Sequence, residues 1–104
     1  MGMKIRWSDS ASAELEELFD YYRANVSLIV ARKLLKAIIQ KTLILESNPF
    51  VGVKEPLLSD RPDEYRYLVY KNYKIIYRCN DNLVVIITVF DSRQNPIKLK
   101  GLKD

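Results

Sequence analysis

Three apolar runs set the pattern of the C-terminal half of the chain: Tyr65 to Tyr70, Tyr73 to Cys79 and Leu83 to Phe90. Between them lie the turn-formers Lys71-Asn72 and Asn80-Asp81-Asn82. Runs of this length, rich in Val, Ile, Tyr and Thr and punctuated by Asn and Asp, predict consecutive antiparallel strands joined by tight hairpins. The N-terminal half is patterned differently. Lys4 to Trp7 alternates, with Ile5 and Trp7 on one side and Lys4 and Arg6 on the other, which predicts a short first strand. Ser8, Asp9 and Ser10 then offer oxygens to cap a helix, and Ala11, Leu15, Leu18, Phe19 and Tyr22 form one helical stripe ending near Asn25. Glu14, Glu17, Asp20 and Arg23 are expected to face water.

Ser27 is placed to cap a second helix, which the pattern carries to Ser47 before Asn48-Pro49 closes it. Its polar positions Arg32, Lys33, Lys36, Gln40 and Lys41 recur at helical spacing opposite a broad apolar arc. So short a link as Asn25 to Ser27 makes the two helices an antiparallel hairpin. Phe50 to Glu64, with Gly52, Pro56 and Pro62, has no sustained period and reads as a loop. Ser92 to Asp104 reads as a basic tail, flexible over 96–104.

The predicted register places the charges on the sheet. If Lys71-Asn72 is a two-residue turn, Tyr70 opposes Tyr73 and Leu68 opposes Ile75. Arg66 then shares a face with Leu68, Tyr70, Tyr73, Ile75 and Tyr77, while Lys74 and Arg78 share the other with Tyr65, Tyr67 and Val69. A three-residue turn would bring Arg66 and Lys74 together, so the clustering of these cations depends on the turn.

At 104 residues, 48% hydrophobic and 29% charged, the chain is expected to be a single α+β domain spanning 1–104. No apolar run approaches the roughly 18 residues of a membrane span, and MGMKIRWSDS lacks the apolar core of a signal peptide. The expected compartment is therefore the cytoplasm, with no membrane partner. The lone Cys79 sits mid-strand as a small hydrophobe. The chain has no histidine, which removes imidazole bases, Ser-His and Cys-His pairs and His-ligated metals; no metal or cofactor is expected. The net charge of +4 and pI near 9.2 favour an acidic partner such as nucleic acid or an acidic protein segment.

The order strand, helical hairpin, loop and three-stranded meander (β-α-α-β-β-β) resembles the RelE/ParE superfamily of type II toxin-antitoxin toxins. The stretches ASAELEELFDYY, LILESNPFVG and YRYLVYKNYKIIYRCNDNLVVIITVFDSR carry the resemblance. It implies a toxin, often tied to plasmid stabilization and growth inhibition in bacteria, held by a cognate antitoxin through which alone it would reach operator DNA. One branch cuts messenger RNA at the ribosome; the other poisons DNA gyrase. For the nuclease branch, Arg66, Lys74 and Arg93 would be the catalytic cations. Leu68 stands where that branch can place a second lysine, and no tyrosine or histidine follows Arg93.

RNA cleavage by 2′-OH attack needs a proton acceptor, cations for the phosphorane and an acid for the leaving oxygen. Tyrosines and lysines with pKa near 10 serve poorly as bases unless strongly perturbed. The reading therefore leans to a gyrase poison, with a ribosome-dependent endonuclease and a non-toxic binding module as alternatives. Tyr65, Tyr67, Lys71 and Arg78 are candidate contacts to nucleic acid or target, and Arg32, Lys33 and Lys36 to an acidic antitoxin segment.

Overall fold

The computed structural model describes residues 2–103. Strand β1 (Lys4–Trp7) leads into helix α1 (Asp9–Asn25) and helix α2 (Leu28–Thr42), followed by the edge strand β2 (Val53–Lys54) and the meander β3 (Tyr65–Tyr70), β4 (Tyr73–Asn80) and β5 (Leu83–Asp91). The five strands form one sheet in the order β1-β5-β4-β3-β2, antiparallel except where β1 runs parallel to β5.

Both helices begin where the sequence placed their caps: Ser8 Oγ accepts from the Ala11 amide at 3.0 Å, and Ser27 Oγ from the Val30 amide at 3.1 Å. The second helix is shorter than its apolar period. Regular α geometry stops at Thr42 and a tighter 3-10 turn, Leu43–Glu46, carries the fully buried Leu45 into the core. Ala11 and Leu15 of α1 and Leu34 and Ile38 of α2 pack on one sheet face against Leu68, Ile75, Tyr77, Val84 and Ile86.

The opposite face is covered by short segments. Within Phe50 to Glu64, read from sequence as a loop, β2 pairs with β3 and a 3-10 turn at Pro56–Leu58 buries Leu58. Residues 96–101 form another 3-10 turn, capped by Asn95, whose Leu99 is 2% exposed and packs with Leu58, Val85 and Ile87. A 3-10 turn repeats every three residues, so Leu99 and Leu102 can both face the sheet. That periodicity is too short for a sequence pattern to announce, and Asp104 lies outside the described residues.

The two-residue turn at Lys71-Asn72 is observed: Tyr70 pairs with Tyr73, Leu68 with Ile75, and Val69 with Lys74. The second hairpin is tighter than its Asn-Asp-Asn punctuation implied, since β4 continues to Asn80, which pairs with Leu83. In both turns the first residue, Lys71 at φ 53° and Asp81 at φ 54°, takes the left-handed conformation that twisted hairpins require. A bulge at Ile76/Tyr77 shifts the β4–β5 register, so that Ile76 opposes Thr88 while Tyr77 opposes Ile86.

β1 ends at Trp7, leaving the edge of β5 beyond Ile86 without a strand partner. Side chains at the start of α1 complete it. Ser8 Oγ donates to the Ile87 carbonyl at 3.0 Å, and the Glu14 carboxylate accepts from the Val89 amide at 2.9 Å and from Thr88 Oγ1 at 2.8 Å. Glu14, expected in water, is thus half-buried, and that burial raises its pKa above the ordinary carboxylate value against the pull of its hydrogen bonds.

Candidate functional site

The sheet cations are dispersed by the register and held by internal partners. Arg66 lies opposite Tyr77, on the face that receives the helices. Its guanidinium donates to Glu64 Oε1 at 2.9 Å and to the carbonyls of Phe50 at 3.2 Å and Gly52 at 2.8 Å, with its carbon 5.4 Å from the Phe50 ring centre. Tyr77, fully buried, accepts the Gly52 amide at 2.9 Å, and burial pushes its phenol pKa up. A β-carbon on Gly52 would stand 2.5 Å from the Tyr77 hydroxyl and 2.8 Å from the Tyr67 carbonyl, so only glycine fits this approach. Arg66 and Tyr77 together pin residues 50–52 to the sheet.

Lys74 projects from the other face. Its Nζ sits 3.0 Å from Glu55 Oε2 and 4.3 Å from the Tyr67 ring centre, and the Glu55 side chain is completely buried. The charge that would serve a phosphate is used to compensate a buried carboxylate. Glu55 was not singled out by sequence, because it falls in a stretch without periodicity between Lys54 and Pro56.

Arg93 lies past the end of β5 and grips Asp91, with Nε 3.0 Å from Oδ1 and Nη2 2.7 Å from Oδ2. Those hydrogen bonds hold the Asp91 carboxyl well below the usual carboxylate range. The pair borders a pocket with Leu18, Tyr21, Tyr22 and Tyr73, in which the Tyr22 and Tyr73 hydroxyls are 3.3 Å apart. Burial first, and the Tyr22 hydroxyl second, push Tyr73 up to about 12. A phenol so shifted is protonated at neutral pH and is a poor general base.

Of the other candidates, Tyr65 is 5% exposed and packs in the far-face core beneath the Arg61 guanidinium. Tyr67 is half-buried under Lys74, leaving neither ring open as a stacking platform. Lys71 stands in its turn with Nζ 5.7 Å from the Tyr70 ring centre, and Arg78 is half-buried opposite Tyr65. Cys79 is half-buried near the Pro49 carbonyl, and burial raises its thiol pKa, as for an unreactive packing group. Among the described residues no cluster of Cys, Asp and Glu could hold a metal, and no helix is long and apolar enough to cross a membrane.

Arg32, Lys33 and Lys36 are exposed on α2. Beside this helix runs a feature that sequence periodicity concealed: an apolar groove of about 370 Å³ among β1, α1 and α2, lined by Trp7, Leu15, Phe19, Leu35 and Ile39. Leu15, Phe19, Leu35 and Ile39 belong to the apolar stripes of the two helices, and Trp7 to the apolar side of β1. Leu15 is buried at the floor of the groove, Trp7, Phe19 and Leu35 are half-buried, and Ile39 is exposed.

The fold is that of the small α+β toxins, and the family match places the chain in the ParE/RelE superfamily of type II toxin-antitoxin systems. The family model described as the ParE toxin of type II toxin-antitoxin system, parDE, matches residues 5–96, and the chain belongs to that family. Among solved structures it is similar to a chain of the chromosomal ParDE toxin-antitoxin system from P. aeruginosa, at 21% identity and a TM-score of 0.72, covering 86% of this chain and 95% of that one. It is also similar to a chain of the RelBE2 toxin-antitoxin complex from Mycobacterium tuberculosis, at 20% identity and a TM-score of 0.61, covering 88% and 99%. No curated protein matches significantly.

Proposed function

We propose that this toxin acts by binding rather than by cleaving RNA, as a ParE-like poison of DNA gyrase that inhibits bacterial growth until an antitoxin neutralises it. The observation that carries the reading is the separation of Arg66 and Lys74 onto opposite sheet faces, Arg66 held by the exposed Glu64 and the Phe50 and Gly52 carbonyls and Lys74 by the buried Glu55. A phosphorane-stabilising cluster needs convergent charge together with a proton acceptor. Here the third cation, Arg93, is bound to Asp91, and its neighbouring phenol Tyr73 is shifted away from neutrality. Membership of the ParE family supports the same target.

The antitoxin in this reading lays an apolar helix into the Trp7–Leu35–Ile39 groove and sets acidic residues against Arg32, Lys33 and Lys36. A ribosome-dependent endonuclease retains one specific support, the exposed Arg93 at the mouth of the tyrosine-lined pocket. Induction in a bacterium, with DNA and protein synthesis followed separately over the first minutes, tests the two. DNA synthesis stopping first, together with inhibition of purified gyrase, is the expected result. If protein synthesis stops first and Arg93→Ala abolishes that effect, the toxin is a nuclease.

A further inference from the structure

The sheet face turned away from the helices gathers cations from both ends of the chain. On β1, Lys4 and Arg6 alternate with Ile5 and Trp7, and the latter two pack on the helix side. Arg6 stands opposite Val85 in the β1–β5 register, and Val85 belongs to the far-face cluster that receives Leu99. With Leu99 and Leu102 seated on the sheet, Lys98, Lys100 and Lys103 are left exposed beside it. A further brace fixes the segment: Arg61 Nη2 donates to the Lys100 carbonyl at 3.0 Å. No acidic side chain pairs with Lys4, Arg6, Lys98, Lys100 or Lys103 among the described residues. Lys98 Nζ meets only the neutral Gln94 oxygen, at 3.4 Å. Residues 92–103 contain no Asp or Glu, and three of this group's lysines lie there in a protein whose whole net charge is +4.

We propose that this face binds the phosphate backbone of duplex DNA without regard to sequence. These five cations, without an acidic partner among the described residues, stand two on β1, two on the seated 3-10 turn and one just past it, and match the phosphate contacts that supply non-specific affinity. The exposed polar neighbours Ser92, Gln94 and Asn95 can add hydrogen bonds to phosphate oxygens. Single-stranded nucleic acid calls for a row of open aromatic rings, and on this face Tyr65 is buried, Tyr67 is covered by Lys74 and Phe90 is half-buried against the far-face cluster. An acidic protein partner calls for an apolar anchor, and Ile97 is the one exposed large hydrophobic side chain between residues 92 and 103. The contact reads no bases, so it adds to operator recognition by an antitoxin rather than replacing it. It stands independently of the gyrase reading, because it is measured without gyrase.

The test is fluorescence anisotropy of the full-length toxin with a labelled random-sequence duplex over a series of salt concentrations. Wild type is expected to bind with a strong inverse salt dependence. The triple variant K98Q/K100Q/K103Q should bind roughly tenfold or more weakly at low salt, with the slope of log K against log salt shallower by about 2 to 3. The pair K4Q/R6Q should remove about 2 more, whereas Lys41→Gln on α2 should leave the slope unchanged. The charge-conserving variant K98R/K100R/K103R should bind like wild type, and circular dichroism melts check that every variant remains folded. Unchanged slopes in both glutamine variants would overturn the proposal. So would tighter binding to a single strand of equal length, or displacement of the duplex by polyglutamate at equal charge concentration.

Discussion

The Lys74 ammonium lies 3.0 Å from the carboxylate of Glu55, a side chain with no exposed surface. That ion pair supports the architecture, because a buried carboxylate without its cation is costly. Lys74→Met should destabilise the protein by about 3 kcal/mol, the low end for a broken buried pair, since Lys74 keeps 24% of its side chain in water. The double variant Glu55→Met/Lys74→Met removes both charges and should recover most of that loss in urea unfolding. Toxicity returning with the double variant would mark Lys74 as structural; a stable but inactive double variant would mark it as part of the target surface.

Arg66 and Tyr77 hold the same loop from two sides. Tyr77→Phe leaves the Gly52 amide without its acceptor and should cost about 1–3 kcal/mol. Arg66→Ala should speed amide exchange across residues 50–52 while protecting hydrogens in β4 exchange as before. Equal acceleration in both places would mean that the arginine supports the whole sheet rather than this loop.

The carboxylates give opposite pH dependences. Asp91 is held below the usual range by Arg93, so the unfolded chain binds its proton more tightly than the folded one. Its stabilisation is complete above the ordinary aspartate value near about 4 and is lost as pH falls below it. Asp91→Asn should therefore flatten the acid limb of a stability–pH curve. Glu14, raised by burial, contributes stability at low pH that is lost as pH rises through its folded pKa. Glu14→Gln should gain on wild type as pH rises above the ordinary glutamate value, and a parallel pair of curves would contradict this.

Tyrosinate absorbance offers a direct reading of the Tyr22–Tyr73 contact. One phenol should titrate late, near pH 12, in the native protein. Tyr22→Phe should bring that midpoint down without abolishing the shift, because burial is its larger cause. A midpoint unmoved by the substitution would show that the 3.3 Å approach of the hydroxyls has no electrostatic consequence.

Calorimetry of the toxin with its antitoxin distinguishes the two basic surfaces. Replacing Arg32, Lys33 and Lys36 by Glu should weaken the complex and lessen its salt dependence. Unchanged affinity would remove α2 from the interface.

Much of the fold is determined locally and was therefore legible in the sequence. The Ser8 and Ser27 caps, the alternation of Lys4 to Trp7 and the pairing of Tyr70 with Tyr73 each depend on neighbours a few residues away. Once Lys71-Asn72 closed as a two-residue turn, the strand period of two sent Arg66 and Lys74 to opposite faces. Other features required the tertiary structure. Glu55 meets Lys74 across 19 residues of chain, and Glu14 meets Val89 across 75, so no local period records either contact. Leu99 stands alone in a lysine-rich segment of the sequence, and the far face of the sheet supplies Val85 and Ile87 as its neighbours. The sequence alone determined which residues could be strands, helices and turns; packing decided which charges, such as Lys74, were spent inside the fold and which, such as Lys4, Arg6, Lys98, Lys100 and Lys103, were left exposed.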